Sequence, residues 1–134
     1  MTALIFEGYR VTKMSYTKNE TFSNKDKITY IPSFNSTIKF NEETDKATVT
    51  LAFHTNKEFP FDLNVEMEGD FKYKNAEDPQ EMGFAHFLRQ NATAIMFPYL
   101  RVIVSQLSGL GNEYPSLLLP TVNISKLLQN EDED

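Results

Sequence analysis

Residues 59–74 read FPFDLNVEMEGDFKYK, and their pattern decides the fold. Phe59, Phe61, Leu63, Val65, Met67, Gly69, Phe71 and Tyr73 hold every odd position, while Asp62, Asn64, Glu66, Glu68, Asp70, Lys72 and Lys74 hold the even ones after Pro60. Side chains alternate across a strand, so period two sustained this long predicts a strand with one buried face and one wet face. At ~3.3 Å per residue it would run roughly 50 Å, well beyond the usual strand. Strands of that length are rarely straight. Gly69 is the expected place for a bulge or bend.

Upstream, Ala47, Val49, Leu51 and Phe53 alternate with polar or small residues, and 55–58 is turn-like, which predicts an antiparallel hairpin with 59–74. Residues 36–40 alternate as well, with Ile38 and Phe40 inward, and 41–46 supply another turn. An N-terminal strand covers about 4–22, with irregularity where Val11 and Met14 break the alternation. Between it and the second strand, residues 23–35 are polar yet carry Ile28, Tyr30, Ile31 and Phe34, and they read as a crossover loop. Strands come first and helices last, so the class is α+β: a four-stranded antiparallel sheet with a crossover loop, then a short helix, a long helix and a short C-terminal helix.

Asp78-Pro79 is expected to open the short helix, Asp as N-cap and Pro at the first helical position, ending near Asn91. The long helix places Met96, Leu100, Ile103, Leu107 and Leu110 at helical spacing, with Pro98 expected in its first turn and Gly109 and Gly111 stopping it. It is also apolar at Ile95, Tyr99, Val102 and Val104. That arc is wider than one sheet needs and suggests burial against a second subunit. A connector, 114–120, leads to a terminal helix over about 123–129, apolar at Ile124, Leu127 and Leu128.

The chain has 134 residues, the size of one domain, and we read 1–130 as that domain and 131–134 as an acidic tail. Its 11 Phe and 6 Tyr, with no Trp, are more large rings than a small core hides easily, so some are expected to meet a partner. Of the net charge of −6, the last four residues supply −4. A near-neutral body lacks the clustered Lys and Arg that phosphates require, which argues against nucleic acid. With no cysteine there is no disulfide, thiolate metal site or cysteine nucleophile. Residues 1–10 do not resemble a secretory signal, and no apolar run reaches the ~18 residues that would span a bilayer. The expectation is a soluble, cytoplasmic protein without membrane insertion.

Three stretches carry a family resemblance. Phe97-Pro98-Tyr99-Leu100-Arg101 resembles the Phe-Pro-Tyr-Ala-Arg stretch that begins the long helix of SecB-like export chaperones. Residues 115–123, PSLLLPTVN, are similar to that family's Pro-x-Leu-x-Leu-x-Pro-Val-Asn connector, with Thr121 inserted. Tyr16-Thr17-Lys18, followed by Phe22, is similar to its first strand. The element order agrees over nearly the whole chain. The resemblance implies a chaperone without cofactor or turnover, a homotetramer built as a dimer of dimers, and grooves that bind unfolded preproteins or other non-native polypeptides. It also implies a possible second use, protecting the antitoxin of a toxin–antitoxin pair.

On that basis Phe22, Ile28, Tyr30, Ile31, Phe34, Leu127 and Leu128 are expected to contact clients. The loop residues have no strand face to fill, and the competing reading is that they cover the sheet's own core. Ile95, Tyr99, Val102 and Ile103 are expected at the subunit interface. The family's acidic positions for docking the SecA export motor fall at Asn19, Ser23 and Asn64, none of them charged. Glu20, Asp62, Glu66, Glu68 and Asp70 could replace them, or simply form a wet strand face. No metal-ligand spacing, phosphate loop or nucleophile elbow is present, and His54 and His86 have no constellation around them, so the reading is not an enzyme. A small α+β ligand-binding module is the alternative of another class.

Overall fold

A computed structural model of the chain describes residues 3–22, 33–41 and 43–119. Four strands, β1 (Leu4–Lys18), β2 (Ser33–Asn41), β3 (Lys46–His54) and β4 (Phe61–Tyr73), form one antiparallel sheet in the order β1-β4-β3-β2. A 3₁₀ turn, Asn75–Glu77, precedes the helical part: α1 (Phe84–Phe87), a π-helical turn (Leu88–Ala92) and α2 (Thr93–Gly109). The α+β class and the four-stranded antiparallel sheet are as the periodicity predicts. Of the expected crossover over 23–35, Ser33, Phe34 and Asn35 instead pair with β3 as the start of β2, while 23–32, the terminal helix over 123–129 and the acidic tail lie outside the described residues.

β4 begins at Phe61 rather than Phe59 because the hairpin closes just before it. Phe59 N–H donates to the Asn56 carbonyl, and the Thr55 hydroxyl donates to the Phe61 carbonyl while accepting from Leu63 N–H. From there the alternation is realised as expected. Leu63, Val65, Met67 and Phe71 are buried beside Val49, Leu51 and Phe53 of β3. The helices cover this face with Leu88, Ala92, Met96, Leu100, Val104 and Leu107.

Gly69 does not bulge. It stays in register between Tyr9 and Val49. A Cβ built there would lie 2.9 Å from the Met96 sulfur, so glycine is used to let α2 approach the sheet. The irregularities sit on β1 instead, between Phe6 and Gly8 and between Val11 and Lys13. Glu7 and Thr12 each have no opposite residue on β4, Gly8 adopts φ 123°, and the Thr12 hydroxyl donates to the Glu66 carbonyl at the second slip. Each extra residue turns a two-residue step into three. Phe6, Tyr9, Val11, Met14 and Tyr16 therefore all oppose inward residues of β4, which is why Val11 and Met14 break the alternation.

The helical start also differs from expectation. Asp78-Pro79 opens no helix. The Asp78 carboxylate instead ties a turn, accepting from Met82 N–H at 2.9 Å, Gly83 N–H at 2.8 Å and the Tyr73 hydroxyl at 2.6 Å. Glu81 at φ 53° and Gly83 at φ 94° reverse the chain, and helix begins at Phe84, stacked on Tyr73. These bonds, the one from Tyr73 first, hold Asp78 below the ordinary carboxylate range and push the Tyr73 phenol up to about 12. No break follows Asn91, so α1, the π turn and α2 form one run and Pro98 lies inside it. An interior proline costs about 3 kcal/mol. Burying Met96, Phe97 and Leu100 around it contributes about 1.5–3 kcal/mol each, which outweighs that cost.

Candidate functional site

The last turn of β1 feeds a polar clamp at Asn19. Its side-chain N–H groups donate to the carbonyls of Lys57 (3.2 Å) and Phe59 (2.9 Å), and its Oδ1 accepts from the backbone and hydroxyl of Thr21. Only an amide can donate to two carbonyls while accepting from a third group; a carboxylate here would face both carbonyl oxygens. The clamp fixes the chain's exit from the sheet and aims Phe22. That ring meets Tyr114 edge-on, with centroids 6.0 Å apart. Beneath them Phe61 touches Tyr114, Tyr16 and Phe59, at 6.2, 5.0 and 4.8 Å. Burial pushes the Tyr16 phenol up, with Glu113 adding to it.

Beside this cluster lies an open recess of about 290 Å³, floored by Phe59 and Phe61 and rimmed by Lys18, Glu20, Lys57 and Asp62. An apolar floor inside a charged rim suits an apolar side chain on an extended, otherwise solvated chain. Among the described residues, no group of three or more acidic or histidine side chains is placed to hold a metal ion.

A second apolar surface runs along β1 and the far side of α2. Tyr9 packs on Tyr99 at 4.5 Å, and Phe6 meets the same ring at 5.9 Å. Around them Val11 (40%), Met14 (58%) and Val102 (56%) remain open to solvent. Ile95 and Ile103 are half-buried along the edge of the core. Val104, which shared in the over-wide arc, is buried in the chain's own core; Tyr99 and Val102 face outward.

The outer face of the sheet is a row of acids met by cations from β1. Arg10 donates to Glu68 at 3.0 Å and Asp70 at 2.7 Å, and Lys13 lies opposite Glu66 in the register. Arg10, with the Thr48 hydroxyl, holds the Asp70 carboxyl below its ordinary value. Glu20 and Asp62 are exposed, and the Asn64 amide reaches Asp62 only at 3.5 Å.

The residues expected to touch clients fall unevenly. Phe22 is half-buried in the aromatic cluster, whereas Phe34 is 5% exposed and packs on Phe53 and Phe97 within the core. Ile28, Tyr30, Ile31, Leu127 and Leu128 lie outside the described residues, as does Ser23. Sequence reasoning passed over Tyr114, hidden in a proline-bearing connector, and the exposed stripe Tyr9, Val11 and Met14. The three-residue steps from Phe6 to Tyr9 and from Val11 to Met14 were the available signal.

Comparison with known proteins agrees with this architecture. The model of the family described as preprotein translocase subunit SecB matches residues 19–134. An uncharacterised protein of Methanocaldococcus jannaschii is 28% identical over 137 residues, covering 98% of this chain and 86% of that one. Among solved structures, the SecB-like chaperone Rv1957 of Mycobacterium tuberculosis, in complex with a ChAD peptide from the HigA1 antitoxin, superposes with a TM-score of 0.71 at 18% identity. It covers 90% of this chain and 91% of its own.

Proposed function

Because the chain belongs to the SecB family, we propose that it holds non-native polypeptides in apolar surface grooves, without cofactor or turnover. The observation that carries this is the set of rings Phe22, Phe59 and Phe61 beside an open recess, at the point where the chain leaves β1 and Tyr114 rests on them. Flat rings accept many apolar sequences without demanding exact hydrogen bonds, which suits a holder of varied clients. Ile28, Tyr30, Ile31, Leu127 and Leu128 are further client contacts in this reading, whereas Phe34 is packed on Phe53 and Phe97 in the core.

The stripe of Tyr9, Val11 and Met14 with Ile95, Tyr99, Val102 and Ile103 is the surface through which copies assemble into a homotetramer in the cytoplasm. Clients are preproteins or an antitoxin. Docking to an export motor has the thinner support, since Glu68 and Asp70 are already held by Arg10 and Asn19 serves as a clamp. No helix among the described residues is long and apolar enough to cross a membrane.

The test is the turbidity of a chemically unfolded protein diluted into buffer. Stoichiometric wild-type chain is expected to suppress aggregation without nucleotide, and Phe22→Ser to weaken that suppression. Aggregation at the same rate with and without the wild-type chain would remove the proposal.

A further inference from the structure

Residues 110–119 return from the end of α2 along the molecule and are held at two places of different character. On the helix side the attachment is buried. Leu117 N–H donates to the Ser108 hydroxyl at 2.7 Å, and Arg101 donates to the Leu119 carbonyl at 2.9 Å. Ser108 and Leu119 are both almost completely covered. On the sheet side the attachment is light. Lys18 pairs with Glu113 at 2.9 Å, but both side chains are about half exposed, and such pairs contribute little and weaken with salt. The rest of that attachment is the Tyr114 ring against Phe22 and Phe61, and the Tyr16 hydroxyl resting on Gly111.

Tyr114 thus sits on the aromatic cluster as an aromatic side chain of a bound polypeptide would. It is carried by a segment whose far end is buried and whose near end is lightly held. We infer that residues 111–114 form an autoinhibitory strap: Tyr114 occupies the Phe22–Phe61 position in the empty protein, clasped by Lys18–Glu113, and a client displaces it. This rests on the chaperone reading above and adds a regulation to the same site. Gly111 is required because any Cβ there would collide with the Tyr16 hydroxyl and hold the strap off.

The consequence is a penalty on client affinity set by the fraction of molecules with the strap lifted. An edge-to-face aromatic pair of this kind corresponds to about a two- to tenfold bias toward the closed form. The probe is fluorescently labelled, reduced and carboxymethylated α-lactalbumin, which stays unfolded, titrated with the full chain and followed by anisotropy. Tyr114→Ala is expected to bind it about two- to tenfold more tightly than wild type. The double variant Lys18→Met with Glu113→Gln is expected to bind more tightly by a smaller factor and to associate faster. Tyr114→Ala binding equally or more weakly would overturn the strap, because Tyr114 would then be a contact for clients or a packing residue. If Tyr114→Ala fails to fold by circular dichroism, the surface double variant decides alone, and unchanged affinity there overturns it. A wild type that ignores the probe removes the chaperone reading itself; a wild type that binds beside variants that bind no tighter removes only the strap.

Discussion

β1 and β4 pair from Leu4–Tyr73 to Lys18–Phe61, yet the two strands do opposite things with their helix-side residues. β4 keeps strict alternation and hides Phe61, Leu63, Val65, Met67 and Phe71 almost completely. β1 slips twice, at Glu7 and Thr12, and leaves Tyr9, Val11 and Met14 on the surface although they point the same way. The difference lies in what covers them. α2 packs on β4 and β1, with Gly69 admitting Met96 and Tyr99 meeting Phe6 and Tyr9, yet it leaves Val11 and Met14 uncovered. A central strand is therefore fixed by its own core, while the edge strand leaves apolar side chains open to solvent. The two slips re-aim those side chains without changing the pairing partner.

Substitutions on the two strands should separate these roles. Leu63→Ala in β4 is expected to cost about 2–5 kcal/mol in denaturant unfolding, since it removes a fully buried side chain from a close-packed face. Gly69→Val should cost about 1–3 kcal/mol, because its Cβ meets the Met96 sulfur and the flexible methionine can yield only partly. An unchanged midpoint for Gly69→Val would show that the helix approach does not depend on the glycine.

A third effect comes from the pH dependence of the turn that starts the helices. Asp78 has its folded-state pKa depressed, chiefly by the Tyr73 hydroxyl. Its stabilisation is therefore present above the unfolded carboxylate value of 3.8 and is lost as pH falls through the lower folded value. Tyr73 has the opposite sign: its contribution is present below 10.0 and is lost as pH rises through about 12. Asp78→Asn should flatten the unfolding curve against pH at both ends. A variant that kept the wild-type pH profile would show that the turn is not held by this carboxylate.

The smallest change in stability is expected on β1. Val11→Ser with Met14→Gln should alter the folding stability of each chain by no more than about 0.5 kcal/mol apiece, since both sites are exposed in the single chain. The mass by light scattering should nevertheless fall below four subunits. A mass unchanged from wild type would mean that the exposed stripe serves no assembly.

β4 and its hairpin with β3 were legible because one face is buried throughout, so residue pattern and burial coincide. Gly69 was read as a bend because sequence shows a missing side chain but not the Met96 that fills its place. Asp78-Pro79 has the residue types of a helix start but opens none: the Asp78 carboxylate ties a turn, because Glu81 and Gly83 take positive φ before the helix can form. Pro98 was placed in a first turn because local propensity forbids it elsewhere, and three large buried neighbours override that preference. In the candidate site, Phe22 could be named from its place at the root of a polar segment. Tyr114 could not, because its role depends on a strap folding back 92 residues along the chain to meet Phe22.

The most direct measurement of the central claim compares one polypeptide in two states. Labelled α-lactalbumin, native in one titration and reduced and carboxymethylated in the other, is mixed with the wild-type chain and followed by anisotropy. Saturable binding of the unfolded form, with none to the native form and no nucleotide required, is the expected result. Equal binding of both forms, or of neither, would contradict a protein that holds non-native chains.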